Sequence, residues 1–190
     1  PVNPTHIVNY EPIPDIDNSS VSIKVNTSAP CQVTLTVKDG DNTVAEQTGS
    51  SDEPITLSIP SAKLWSPDEP NLYNLDIAIK EQGKETDKVS GYFGMRKFSR
   101  AMVDGHPAVL LNNKPLYMYG PLDQGWWPDG LLTPPSYEAM IYDLQVMKDF
   151  GMNMVRKHIK LENDLWFDWC DKNGLVVWQD MPSGCGSGAD

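Results

Sequence analysis

The run Asn153-Met154-Val155-Arg156-Lys157-His158 decides how the second half of this chain is read. It follows a helical pattern in which Met140, Ile141, Leu144 and Met147 recur at three- and four-residue steps, with Ser136 placed to cap the start and Gly151 to end it in a left-handed turn. The short apolar run after Gly151 reads as a strand that ends in two cations and an imidazole. Leu165, Trp166, Trp169 and Cys170 then repeat at helical spacing between Asn163 and Gly174, and Leu175 to Trp178 is a second apolar strand. Strands that alternate with helices predict a parallel sheet with right-handed crossovers, covered on both faces.

Moving toward the N-terminus, Val109 to Gly120 reads as a hairpin, because Asn112-Asn113 tolerates the positive φ of a tight turn. Its second arm supplies the first strand of the parallel set. Residues before it change period. Val21, Ile23 and Val25, then Val33, Leu35 and Val37, then Ile55, Leu57 and Ile59, then Leu75, Ile77 and Ile79 alternate with polar neighbours. Turn residues separate these runs at Ala29-Pro30, Lys38 to Asp41, Ser50 to Asp52 and Glu81 to Gly83. About six or seven such strands in roughly a hundred residues predict an immunoglobulin-like β-sandwich.

Leu64 to Tyr73, with Pro67 and Pro70, forces a corner, and Trp65 and Tyr73 are read as packing the sandwich end rather than as a sugar platform. The division expected is a linker with an edge strand at 1–18, the sandwich at 19–100, and the α/β part at 101–190. The linker carries an edge strand at 5–10.

Composition narrows the partners. The 190 residues carry a formal net charge of −11 with 39% apolar and 22% charged residues, an ordinary globular balance whose negative field disfavours nucleic acid and anionic membranes. No apolar run is long enough to span a bilayer. Cys31, Cys170 and Cys185 have no paired spacing and suggest neither a disulfide framework nor a zinc site. No cofactor and no metal ligand is assigned. Ser183 to Gly188 lacks the lysine of a phosphate loop and reads as a βα loop.

In a parallel α/β sheet the site lies beyond the carboxyl ends of the strands. That rule selects Asp123, Gln124, Trp126, Trp127 and Asp129 after the first strand, Arg156, Lys157, His158 and Lys160 around the second, and Gln179 and Asp180 after the third. Carboxylates, a guanidinium and exposed indoles suit a polyhydroxylated ring, whose hydroxyls hydrogen-bond and whose C–H face stacks on aromatics. Carbohydrate is therefore the expected ligand. Trp166 and Trp169, at helical spacing, are assigned to the core.

These motifs resemble glycoside hydrolase family 2, which includes β-galactosidases, β-mannosidases and β-glucuronidases. The similarity is carried in order by LWSPDEPNLY at 64–73, YFGMRK at 92–97, LLNNKPLYMYG at 110–120, DQGWWPDG at 123–130, NMVRKH at 153–158 and GLVVWQDMP at 174–182. It implies that the chain is a fragment of a retaining exo-β-glycosidase: the supporting immunoglobulin-like sandwich followed by the first three βα units of an incomplete (β/α)8 TIM barrel. A complete barrel takes roughly 250 residues. The acid/base and nucleophile glutamates of that family lie at the fourth and seventh strands, so no catalytic residue is assigned here.

Asp123, Gln124, Trp126, Trp127, Arg156, His158 and Asp180 are the expected substrate-binding or orienting residues, all selected by the strand-end rule, with the resemblance adding roles for Arg156 and Asp180. Arg156 either orients the missing nucleophile or forms a salt bridge to Asp180 or Glu162, and Asp180 is expected to accept a sugar hydroxyl. In many members its position belongs to the sugar or metal site, which leaves room for a divalent metal in the whole enzyme. Leu122 to Trp127 departs from the histidine-rich segment of β-galactosidases. The fragment alone is expected to be inactive and to self-associate through its open barrel edge. A periplasmic or extracellular setting is the first expectation for the whole enzyme. The rival reading is a non-catalytic carbohydrate-binding or interaction module with an eroded barrel.

Overall fold

The computed structural model describes residues 3–81 and 83–182, so Cys185 and the loop from Ser183 lie outside the described residues. The chain divides into two compact units, one of residues 1–66 and 71–115, the other of residues 67–70 and 116–190.

In the first unit, strands β1 (Ile7–Asp15), β2 (Ser20–Thr27), β3 (Gln32–Asp39), β4 (Asn42–Ser50), β5 (Ile55–Ser58), β6 (Tyr73–Glu81) and β7 (Lys84–Phe93) build two antiparallel sheets of order β1-β2-β5 and β4-β3-β6-β7. The alternating residues behave as their period requires. Val21, Ile23, Val33, Leu35, Val37, Leu75, Ile77 and Ile79 are fully buried in one core, each worth about 1.5–3 kcal/mol of transfer free energy. At the sandwich end Trp65 is buried under the Arg96 guanidinium, 4.6 Å from the ring centroid. Tyr73 stacks on Phe93 at 5.7 Å while its hydroxyl accepts from the Lys63 N–H at 2.9 Å. Both aromatics serve the core.

Three features differ from the sequence reading. The N-terminal segment is an ordered edge strand to Asp15 rather than a linker with a strand at 5–10, and it carries Pro12 and Pro14 opposite Ile23 and Val21. An edge position makes their missing donors tolerable. Strands β4 and β7 flank the second sheet and are largely exposed, so no apolar alternation announces them. The hairpin also begins earlier. β8 (Phe98–Val103) pairs with β9 (His106–Leu111), and β10 (Lys114–Pro115) returns after Asn112 and Asn113 at φ 52° and 65°. The asparagine turn is as read, but the returning arm stops at Pro115.

In the second unit β11 (Leu122–Asp123), β12 (Met154–Lys157) and β13 (Val176–Gln179) form a parallel sheet in that order. The first parallel strand is thus Leu122–Asp123, beyond the hairpin arm that the sequence suggested. Helix α1 (Tyr137–Asp149) starts at Ser136, whose side chain accepts from the Ala139 N–H, and Gly151 closes it at φ 76°. Helix α2 (Asp164–Asn173) is capped by Asn163 and ends on left-handed Gly174.

Met140, Leu144, Val155, Trp166, Trp169, Cys170 and Leu175 form one core. Leu165, expected in the apolar stripe, is instead 55% exposed. Burial pushes the Cys170 thiol far above its ordinary range. No described helix is long and apolar enough to cross a membrane.

Asn153, the first residue of the deciding stretch, joins the segment before β11 to the sheet. Its side chain accepts from the Tyr119 N–H at 2.8 Å and donates to the Tyr117 carbonyl at 2.9 Å, while the N–H groups of Asn153 and Met154 donate to the Tyr119 carbonyl. Gly120 lies under this contact, where an added Cβ would stand 1.5 Å from the Met154 carbonyl oxygen. Gly120→Ala should therefore destabilise the α/β unit by about 3 kcal/mol or more, read as a lowered urea midpoint by tryptophan fluorescence.

Candidate functional site: the carboxyl ends of the parallel strands

Side chains alternate across β12. Val155 and Lys157 are buried toward the helices, whereas Arg156 is exposed on the opposite face. Register places Trp178 beside Arg156, and Asp123 and Gln179 beside Lys157. The sheet therefore carries two sets of polar groups, back to back.

On the helix side Lys157 is 1% exposed, and its ammonium lies 4.9 Å from the centroid of the Trp166 ring. An unpaired ammonium in such a place would be prohibitive. It is paired with the Asp123 carboxylate and with Glu162 Oε1 at 2.7 Å. The same Glu162 oxygen takes Lys160 Nζ at 2.7 Å, and Lys160 also donates to the Gly125 carbonyl at 3.0 Å. Asp123 in turn accepts from the Gly125 N–H at 2.7 Å. The Gln179 amide donates to the Lys160 carbonyl at 2.9 Å, which ties in the third strand end, while its buried Oε1 has no partner among the described residues.

A cavity of about 30 Å³ beside this network is lined by Asp123, Trp127, Asp143 and Lys157 among others. The Asp143 carboxyl is pushed above its ordinary value by partial burial first and by the Asp123 charge second, with Lys157 acting against them.

On the other face Arg156 forms a fork with Asp180, Nη2 to Oδ2 at 3.0 Å and Nε to Oδ2 at 3.1 Å. Of the alternatives left open for Arg156 this chain forms the Asp180 pair; Glu162 belongs to the lysines. Leu122, Trp178 and Met181 are exposed at 49%, 50% and 67%.

The predicted residues are thus not all together. Gln124, Trp126 and His158 meet Leu132, Ile159 and Lys160 around a pocket of about 290 Å³. Trp126 is 62% exposed there. Asp123 and Trp127 line the smaller cavity instead, and Arg156 and Asp180 lie outside both. The strand-end rule picked out Lys157 without its burial, and Glu162 was named only as a possible partner of Arg156. The signal existed in the period of two: a residue two positions from buried Val155 shares its face, so Lys157 had to be buried and paired. Among the described residues no group of three or more His, Cys, Asp or Glu side chains is placed to hold a metal ion.

Comparison with known proteins agrees with this architecture. The family model described as glycosyl hydrolases family 2 matches residues 5–96, and the model of that family's TIM barrel domain matches residues 104–185. The chain belongs to glycosyl hydrolases family 2. It is 29% identical over 185 residues to a β-galactosidase of Photobacterium profundum, covering 86% of this chain and 18% of that protein. Against a β-glucuronidase of Bacteroides fragilis it is 27% identical over 148 residues, covering 76% and 20%. The structure of a β-glucuronidase from Ruminococcus gnavus superposes with a TM-score of 0.84 at 20% identity, over 94% of this chain and 30% of that one. The chain spans between 13% and 20% of the length of the first curated relatives it matches.

Replacing Lys157 by Met keeps most of the unbranched stem and removes the charge, leaving Asp123 without its ammonium. Lys157→Met should destabilise the α/β unit by about 3–5 kcal/mol, seen as an early thermal transition in near-ultraviolet circular dichroism.

Proposed function

We propose that this chain supplies the supporting sandwich and the first strands of the catalytic barrel of a retaining exo-β-glycosidase, contributing one wall of the sugar subsite without its reacting carboxyl groups. The observation that carries this is the pocket at the carboxyl ends of β11 and β12, where Gln124, Trp126 and His158 face about 290 Å³. An indole beside an amide and an imidazole offers a stacking face and hydrogen-bonding groups that are not committed to neighbours among the described residues. The relatives named above, a β-galactosidase and a β-glucuronidase, support a terminal β-linked sugar.

Retaining hydrolysis needs two carboxyl groups roughly 5–5.5 Å apart, one donating a proton and one attacking the anomeric carbon. The strand-end carboxylates here are otherwise engaged: Asp123 by Lys157, Glu162 by Lys157 and Lys160, and Asp180 by Arg156. In keeping with the family resemblance, we assign the two roles to residues outside this chain. The purified 190-residue protein should not hydrolyse nitrophenyl β-galactoside, mannoside, glucuronide or glucosaminide. Turnover that disappears in Asp180→Ala would refute the assignment.

The same reading makes the exposed face of Leu122, Trp178 and Met181 an inner barrel wall, next to β13, which pairs on one side only among the described residues. Such an edge is a template for further pairing. Sedimentation of the isolated chain should show self-association that rises with concentration and weakens in Trp178→Glu. A monomer at every concentration would count against it.

A further inference from the structure

Glu162 is the point on which the pocket walls converge. Its side chain is only 6% exposed, and one carboxylate oxygen takes both Lys157 and Lys160 at 2.7 Å. Each lysine passes the contact on to the same loop: Lys157 to the Asp123 carboxylate, Lys160 to the Gly125 carbonyl. Gly125, at φ +66°, has no room for a side chain, since a Cβ would stand 2.6 Å from Lys160 Nζ and 2.8 Å from Glu162 Oε1. Gln124 and Trp126, the neighbours of Gly125, form one wall of the pocket; His158, Ile159 and Lys160 form another. Glu162 therefore sets the distance between the two walls.

It also sets their charge. Lys160 is the ammonium-bearing residue of the pocket lining, and Glu162 neutralises it. The hydrogen-bonding groups left without partners among the described residues are the Gln124 amide, the Trp126 indole N–H and the His158 ring. An ion pair at contact distance projects little net field into the pocket, whereas a sugar carboxylate needs an available cation to replace its lost hydration.

We propose that Glu162 is a positioning and specificity-determining residue of the sugar pocket. It holds the Trp126 loop against the His158 loop and, by neutralising Lys160, favours an uncharged sugar over a uronic acid. This rests on the carbohydrate reading of the pocket.

The test is a titration of the ¹⁵N-labelled chain at pH 8, above the ordinary imidazole range. The probes are methyl β-galactoside, β-glucoside and β-mannoside as neutral sugars and methyl β-glucuronide as the acid, followed on the Trp126 indole resonance assigned with Trp126→Phe. The native chain should bind at least one neutral sugar about tenfold or more tightly than the glucuronide.

Glu162→Gln should lower that ratio about tenfold or more by releasing the Lys160 charge. Glu162→Asp should restore it, and adding Lys160→Met to Glu162→Gln should remove the gained glucuronide binding. Equal binding of both classes by the native chain would overturn the proposal, as would equal weakening of both in Glu162→Gln, the result of a merely structural role.

If the native chain binds neither class, the carbohydrate reading fails, and the positioning role is decided without ligand. Glu162→Gln must then shift and broaden the Trp126 indole resonance; an unchanged resonance refutes it. Should Glu162→Gln not fold, Lys160→Gln decides the charge argument: it must widen the neutral preference, and a narrower one refutes it.

Discussion

A buried ammonium between two carboxylates holds the strand ends of the α/β unit together. Lys157 is 1% exposed, and the cost of removing its charge from water is met only because Asp123 and Glu162 stand on either side and the Trp166 ring lies beneath. Asp123 is far from the lysine in sequence, whereas Glu162 lies five residues on. Asp123 comes from the neighbouring strand and Glu162 from the segment that leads into α2, so solvating one cation fixes two loops. The backbone follows the same geometry: the His158 N–H donates to the Asp123 carbonyl and the Asp180 N–H to the Lys157 carbonyl, both continuing the parallel ladder past the strand ends.

The alternation of β12 separates this structural charge from the accessible one. Lys157, toward the helices, is consumed in the network. Arg156, toward the open face, is 47% exposed in its side chain and pairs with Asp180, itself 17% exposed. Water screens that pair far more than the buried one, so it stabilises less and can exchange partners at lower cost. The proposed role of Arg156 in orienting a carboxylate or a sugar hydroxyl calls for such an exchangeable pair, whereas Lys157 is held by both its partners.

Sequence disclosed the architecture well because the core of each unit obeys one period. Val21 to Val25, Val33 to Val37 and Leu75 to Ile79 alternate and are buried; Met140 and Leu144 recur at helical spacing and are buried. Both helices begin on the cap residues that the pattern singles out; α2 ends on Gly174, while α1 has its C-cap at Phe150, with left-handed Gly151 next. What escaped reading lies where tertiary context, not periodicity, decides. Strands β4 and β7 have little to bury because each flanks a sheet, and β11 is too short to show a period at all.

The candidate site was legible as a place and less so as a set of partners. The rule that sites lie at carboxyl strand ends brought Gln124, Trp126 and His158 to one pocket, since each follows a strand by one to three residues. Composition could not say which charges would be spent on one another. That depends on which face of the sheet a residue occupies: with the first strand at Leu122–Asp123 rather than in the hairpin arm, Asp123 stands beside Lys157 and its carboxylate takes that buried ammonium. Asp123 thereby ceases to be a free acceptor for a sugar and becomes the counter-charge that lets a lysine be buried. The residues bounding the pocket can remain uncharged in sum because the ionic groups next to them are already satisfied, and it is the glycine at 125, with no Cβ to displace either lysine, that permits the loop to come so close.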